Sequence, residues 1–154
     1  CGSASTGVKL LADPHVTDDG LLLSHGDALC IDDEDYQKVR ATLRSDAWRQ
    51  DVLAKTLDER KALGQGIRAQ SKASNANKPA NIMDINTAEA SKLVNEHAAA
   101  VLVHGHTHRP GLHQHNGYTR YVIGAWEACG GLLRQHGADD WQLECFSLAR
   151  RYGT

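Results

Sequence analysis

The chain has 154 residues and a formal net charge of −2, long enough for one domain with a real core. That charge excludes the global basic field of a nucleic-acid binder, and no apolar run approaches the ~20 residues a membrane-crossing helix needs. Four cysteines, Cys1, Cys30, Cys129 and Cys145, stand far apart with no CxxC pair, which predicts reduced thiols, buried at the last three positions.

The first seven residues read as a loop or a processed end, with no signal peptide and no initiator Met. A short apolar run over 8–11 precedes an Asp13-Pro14 turn, and Val16 fits a short strand. Asp18-Asp19-Gly20 turns into Leu21-Leu22-Leu23-Ser24, a buried strand that ends in His25-Gly26-Asp27. Ile31-Asp32-Asp33-Glu34-Asp35 is an acidic helix start, because carboxylates favour the positive end of a helix. It leaves one carboxylate to serve a ligand.

A long helical region is predicted over 36–72, broken or bent at Gly64 and Gly66. It holds nine Lys/Arg against four Asp/Glu in a chain that is acidic as a whole. A cationic amphipathic helix pair suits an anionic surface or substrate, and equally a solvated face. Ser71, Asn75 and Lys78 follow at i, i+4 and i+7, nearly one line on a helix, until Pro79 ends it. Such a stripe can hold a sugar hydroxyl and a phosphate, or be only a polar helix end. Asn86-Thr87-Ala88-Glu89 has the capping-box pattern and opens a helix to about His97.

A strand over 99–103 then delivers Val103-His104-Gly105-His106-Thr107-His108-Arg109-Pro110. In an extended backbone His104, His106 and His108 share one face, a seat for a divalent metal. Alternating histidines can also merely decorate a strand. His25 stands at a second strand end with the same His-Gly pair and is the natural third ligand. After Pro110 the pattern is an antiparallel meander: a hairpin at Asn116-Gly117, then strands from Gly130-Gly131 and over 141–148. The tail from Arg150 is expected to fray.

The predicted class is α/β with α+β layering. The chemistry these residues permit is metal-assisted hydrolysis of a phosphate ester or anhydride. A two-metal site needs a bridging carboxylate, and the nearest candidate, Asp27, would point away from the histidines. The histidines alone are too few and too neutral for two hard cations, so no catalytic side chain is assigned.

Ser24-His25-Gly26-Asp27 and Gly105-His106-Thr107-His108 resemble the C-terminal motifs of calcineurin-like metallophosphoesterases. Asp32-Asp33, Tyr36-Gln37, Ser71 to Asn75, Ile82-Met83-Asp84-Ile85-Asn86 and Gly124-Ala125-Trp126 narrow the resemblance to the UDP-2,3-diacylglucosamine pyrophosphohydrolases of lipid A biosynthesis. The likeness runs over about 7–147. It implies the C-terminal part of a metallophosphoesterase β-sandwich with helices outside, a partial core at 1–31 and 80–149, and an inserted helical lid at 32–79. It implies Mn²⁺ as cofactor, two ions in the complete enzyme, with His25 and His106 on one and His108 on the other; with the strand-end geometry it leaves His104 as a structural or supporting residue, not a ligand. Asp33, Ser71, Asn75, Lys78 and His106 would contact UDP-2,3-diacylglucosamine, and the lid would hold its acyl chains. Water attack at the α-phosphorus would give UMP and 2,3-diacylglucosamine 1-phosphate, on the cytoplasmic face of the bacterial inner membrane, where the protein would be peripheral.

The family's earlier motifs, Asp-x-His, Gly-Asp and Gly-Asn-Arg-Asp, have no match in residues 1–24. The expectation is therefore a C-terminal portion, inactive alone, that pairs with the missing half or self-associates. Another metallophosphoesterase, a phosphodiesterase or nuclease, and a non-catalytic histidine-rich metal module are the alternatives.

Overall fold

The structure, a computed structural model, describes residues 7–76, 78–79, 82–126, 129–137 and 140–148. The opening residues 1–6, Cys1 among them, and the tail from 150 lie outside the described residues. In chain order the elements are β1 (His15–Val16), β2 (Leu21–Ser24), a 3-10 turn (Asp27–Leu29), α1 (Glu34–Leu43), α2 (Asp46–Ala54), α3 (Leu57–Asn75), α4 (Thr87–Glu96), β3 (Val101–His104), β4 (Gly111–His115), β5 (Tyr118–Val122), β6 (Cys129–Gln135) and β7 (Trp141–Ser147). Strands and helices together make this a mixed α/β chain, as its pattern predicts. It divides into two compact units, Cys1–Gly26 with Thr87–Thr154, and Asp27–Asn86.

In the first unit five strands form one sheet in the order β1-β2-β3-β5-β4. The central strands β2, β3 and β5 run parallel, and the outer two are antiparallel to their neighbours. Interior parallel strands are covered on both faces, so they require apolar runs rather than alternation. Leu-Leu-Leu in β2 and Val-Leu-Val in β3 meet that requirement. Leu22, Leu102 and Val122, at or below 1% exposure, form the core, and Ala90 and Val94 of α4 are buried too. The strands after Pro110 are not one meander. β5 pairs with its hairpin partner β4 on one side and with β3 on the other, and β6 and β7 form a separate two-stranded ribbon. Four of the five residues of β5 are buried, which suits the interior of the larger sheet.

In the second unit the expected helical region is three helices, and the breaks fall away from the glycines. Ser45 accepts a hydrogen bond from Trp48 N–H and starts α2, and Thr56 with Glu59 forms a reciprocal capping box that starts α3. Gly64 and Gly66 lie inside α3 without breaking it, since a helical Gly costs only about 1 kcal/mol. None of these three helices has a buried residue.

Two of the cysteines also differ from expectation. Cys30 is buried, but Cys129 and Cys145 are exposed. Both stand on the ribbon, which has no third strand among the described residues to cover it.

Candidate metal and substrate site

Parallel pairing of β2 with β3 places Ser24 beside His104. The segments that follow the two strands therefore leave the sheet at the same edge, where α/β proteins build ligand sites. His25 and His106, remote in sequence, come within 5.2 Å between ring centroids, tilted by 47°. The crossing is tied by Gly105 N–H donating to the His25 carbonyl at 3.2 Å. Asp13 holds the other side. Its Oδ1 accepts from Ser24 Oγ at 2.9 Å and from His25 N–H at 3.1 Å. Sequence reasoning passed over Asp13, and its only signal is a carboxylate shortly before a strand that ends in Ser-His.

Extended geometry stops at His104, so the three alternate histidines do not share a face. His106 and His108 have φ of 65° and 55°, in the left-handed region. Thr107 N–H donates to the Gly105 carbonyl at 2.7 Å, which makes His106 the centre of a tight γ-turn. A non-glycine residue held there costs of order 1–3 kcal/mol, and such strain concentrates at functional sites. His104 turns inward instead. It is fully buried, its Nδ1–H donates to the Gly105 carbonyl at 3.0 Å, and its Nε2 accepts from Arg120 Nη1 at 3.3 Å. Both ring nitrogens are thus committed within the protein, so His104 positions the loop. Gly26 is required below it: with φ +97°, a Cβ there would lie 2.9 Å from His104 Nδ1. His108 is exposed and lines a cavity of about 370 Å³ with Pro110, Gly124, Cys129, Leu143 and Cys145, among others.

The second unit carries the remaining expected residues. Asp33 is the N-cap of α1, accepting from Tyr36 N–H at 3.0 Å, and Lys78 Nζ reaches both its oxygens at 2.7 Å. The acidic start thus caps the helix and also binds a cation, with both side chains mostly buried. Lys78 does not continue the helical line, because α3 ends at Asn75. The stripe that does exist is Arg68, Ser71, Lys72 and Asn75, exposed at i, i+3, i+4 and i+7. Arg68 and Lys72 were missed, although the same spacing marks them. Of the other cations here, Arg40 and Arg44 converge on the buried Asp27 carboxylate, Lys38, Arg49 and Lys61 make exposed pairs within their helices, and Lys55, at the end of α2, pairs with Asp51. Asp27 therefore anchors α1.

Burial first, then the carboxylates Asp84, Asp27, Asp33 and Asp32, push the Cys30 thiol up to about 11. Burial chiefly raises Tyr36 to about 12. Both groups keep their protons near neutral pH in the absence of a metal.

Among the described residues no three His, Cys, Asp or Glu side chains are grouped to hold a metal ion. His25 and His106 match a divalent cation in donor type but fall short in number, since such ions take about four to six donors. Among the described residues no helix is long and apolar enough to cross a membrane.

No protein-family profile matches the chain. Similar curated proteins are the UDP-2,3-diacylglucosamine hydrolases of Aromatoleum aromaticum (40% identical over 138 residues, 85% of this chain and 56% of that protein), Chromohalobacter salexigens (39% over 131 residues, 80% and 53%) and Bordetella pertussis (44% over 153 residues, 92% and 59%). The chain spans about half the length of the curated relatives it matches.

Proposed function

The chain is a partial, C-terminal match to the UDP-2,3-diacylglucosamine hydrolases, and from that kinship we propose that it supplies part of the site of such a hydrolase. The substrate is UDP-2,3-diacylglucosamine, and the products are UMP and 2,3-diacylglucosamine 1-phosphate. The observation that carries this reading is the pairing of His25 with His106 at two parallel strand ends.

His25 and His106 would hold one divalent cation, Mn²⁺ in this proposal, and His108 would serve a second. Such a cation neutralises phosphoryl charge and activates water toward phosphorus. The chain's own residues do the positioning. Asp13 and His104 orient the two loops. Lys78 supplies a cation to phosphate, and Asp33, Ser71 and Asn75 supply hydrogen-bond partners to the nucleotide sugar. The exposed cationic helices suit a peripheral position on the cytoplasmic face of the inner membrane, with the acyl chains held by the helical unit.

The test is turnover by the complete hydrolase polypeptide that contains this segment, purified with Mn²⁺. UMP release from UDP-2,3-diacylglucosamine is expected, and His106→Ala should lower it about a hundredfold or more. Undiminished activity of His106→Ala would overturn the assignment. Hydrolysis of bis-p-nitrophenyl phosphate without the UDP-sugar lipid would move the protein to another phosphodiesterase. The 154-residue chain alone is expected to bind Mn²⁺ weakly and release no UMP.

A further inference from the structure

The β6–β7 ribbon carries a feature that the proposed hydrolysis does not use. Register pairs Cys129 with Ser147 and Gly131 with Cys145. The two cysteines therefore share a face of the ribbon and sit on a diagonal across the strands. Both are exposed free thiols, and both line the cavity of about 370 Å³ beside His108. The residue directly opposite Cys145 is a glycine, which adds no side chain of its own to that face. The neighbouring Cys129 thiol, and then burial, raise the pKa of Cys145.

We propose that Cys129 and Cys145 form a redox-active dithiol that closes reversibly to a disulfide by exchange with a small-molecule disulfide such as oxidised glutathione. The cavity admits the reagent to both sulfurs. A Cys129 thiolate attacks one glutathione sulfur, breaking the S–S bond, releasing one glutathione thiolate and leaving a mixed disulfide. Cys145 then loses its proton and attacks the Cys129 sulfur, expelling the second glutathione. The protein loses two protons and two electrons, and one glutathione disulfide becomes two glutathione thiols. Cys145 is the resolving residue.

Diagonal Cα atoms in a sheet lie about 7–8 Å apart, beyond the usual disulfide span of about 4.4–6.8 Å. The bond therefore requires extra coiling of the ribbon. Two-stranded ribbons coil more readily than wide sheets, and Gly130 and Gly131 follow Cys129 directly. Strained cross-links are the readily reduced ones, so this disulfide is expected to be labile rather than structural. It would draw together two walls of the cavity that His108 lines.

The test uses the folded chain with oxidised glutathione, quenched in acid and mapped by non-reducing peptide mass spectrometry. A Cys129–Cys145 linked peptide is expected, with Cys30 unmodified and full reversal by excess reduced glutathione. Cys145→Ser should stop at a glutathione adduct on Cys129. If that variant does not fold, the wild-type map decides alone. Stable glutathione adducts on both residues without a link, a link through Cys1 or between molecules, or a link that excess reduced glutathione leaves intact would each overturn the proposal.

Discussion

Replacing Gly26 with Ala tests how the paired strand ends are held. The new Cβ would stand 2.9 Å from His104 Nδ1 and 3.2 Å from the Gly105 carbonyl oxygen, at φ +97°. Left-handed backbone costs an L-residue roughly 1–2 kcal/mol. His104 cannot swing away without loss, because it is buried and bonded at both nitrogens. Breaking one of those bonds inside the protein costs about 1–3 kcal/mol. The sum is about 2–5 kcal/mol, a large share of the roughly 5–15 kcal/mol that stabilises a domain. Urea unfolding followed by circular dichroism measures it. Gly64→Ala is the control, inside α3 with open space around it, and should stabilise by about 0.5–1 kcal/mol. Combining Gly26→Ala with His104→Ala should cost at least about 1 kcal/mol less than the two separately, since the closest contact, to His104 Nδ1, is then gone. A Gly26→Ala protein within about 0.5 kcal/mol of the parent, a difference typical of harmless surface changes, would refute the reasoning.

Two further outcomes are expected. Lys78→Met leaves the buried Asp33 carboxylate without its cation and should cost about 3 kcal/mol in chemical unfolding, while adding Asp33→Asn, which still caps α1, should recover more than half; a neutral single variant would show the pair to be unimportant. Cys30 has a folded pKa raised from 9.0 to about 11, so its contribution is fully present below pH 9 and is lost as pH rises from 9 to 11; stability should fall by on the order of 2 kcal/mol across that window, and Cys30→Ala should flatten the profile.

The sequence alone determined the apolar strands, the histidines at their ends, the helical character of the second unit and the kinship with the hydrolases. These are local, because an uninterrupted apolar run followed by His-Gly specifies a buried strand and its exit without reference to the rest of the chain. It misplaced the helix breaks, since Gly64 and Gly66 look like stronger punctuation than Ser45 and Thr56, whose side chains bond the next turn. Alternation put three histidines on one face because it assumes an extended backbone, whereas His106 and His108 are left-handed; the separation of His104 as a structural residue agrees with its buried, doubly bonded ring. Only the tertiary structure decided which groups meet. The parallel pairing of β2 with β3 brought His25 to His106, Lys78 folded back onto Asp33, and the ribbon set Cys129 diagonal to Cys145. Each pairing depends on register or chain reversal between distant segments, and local propensity carries no information about either. The histidines were legible at the strand ends, but the contact between them was set by the sheet.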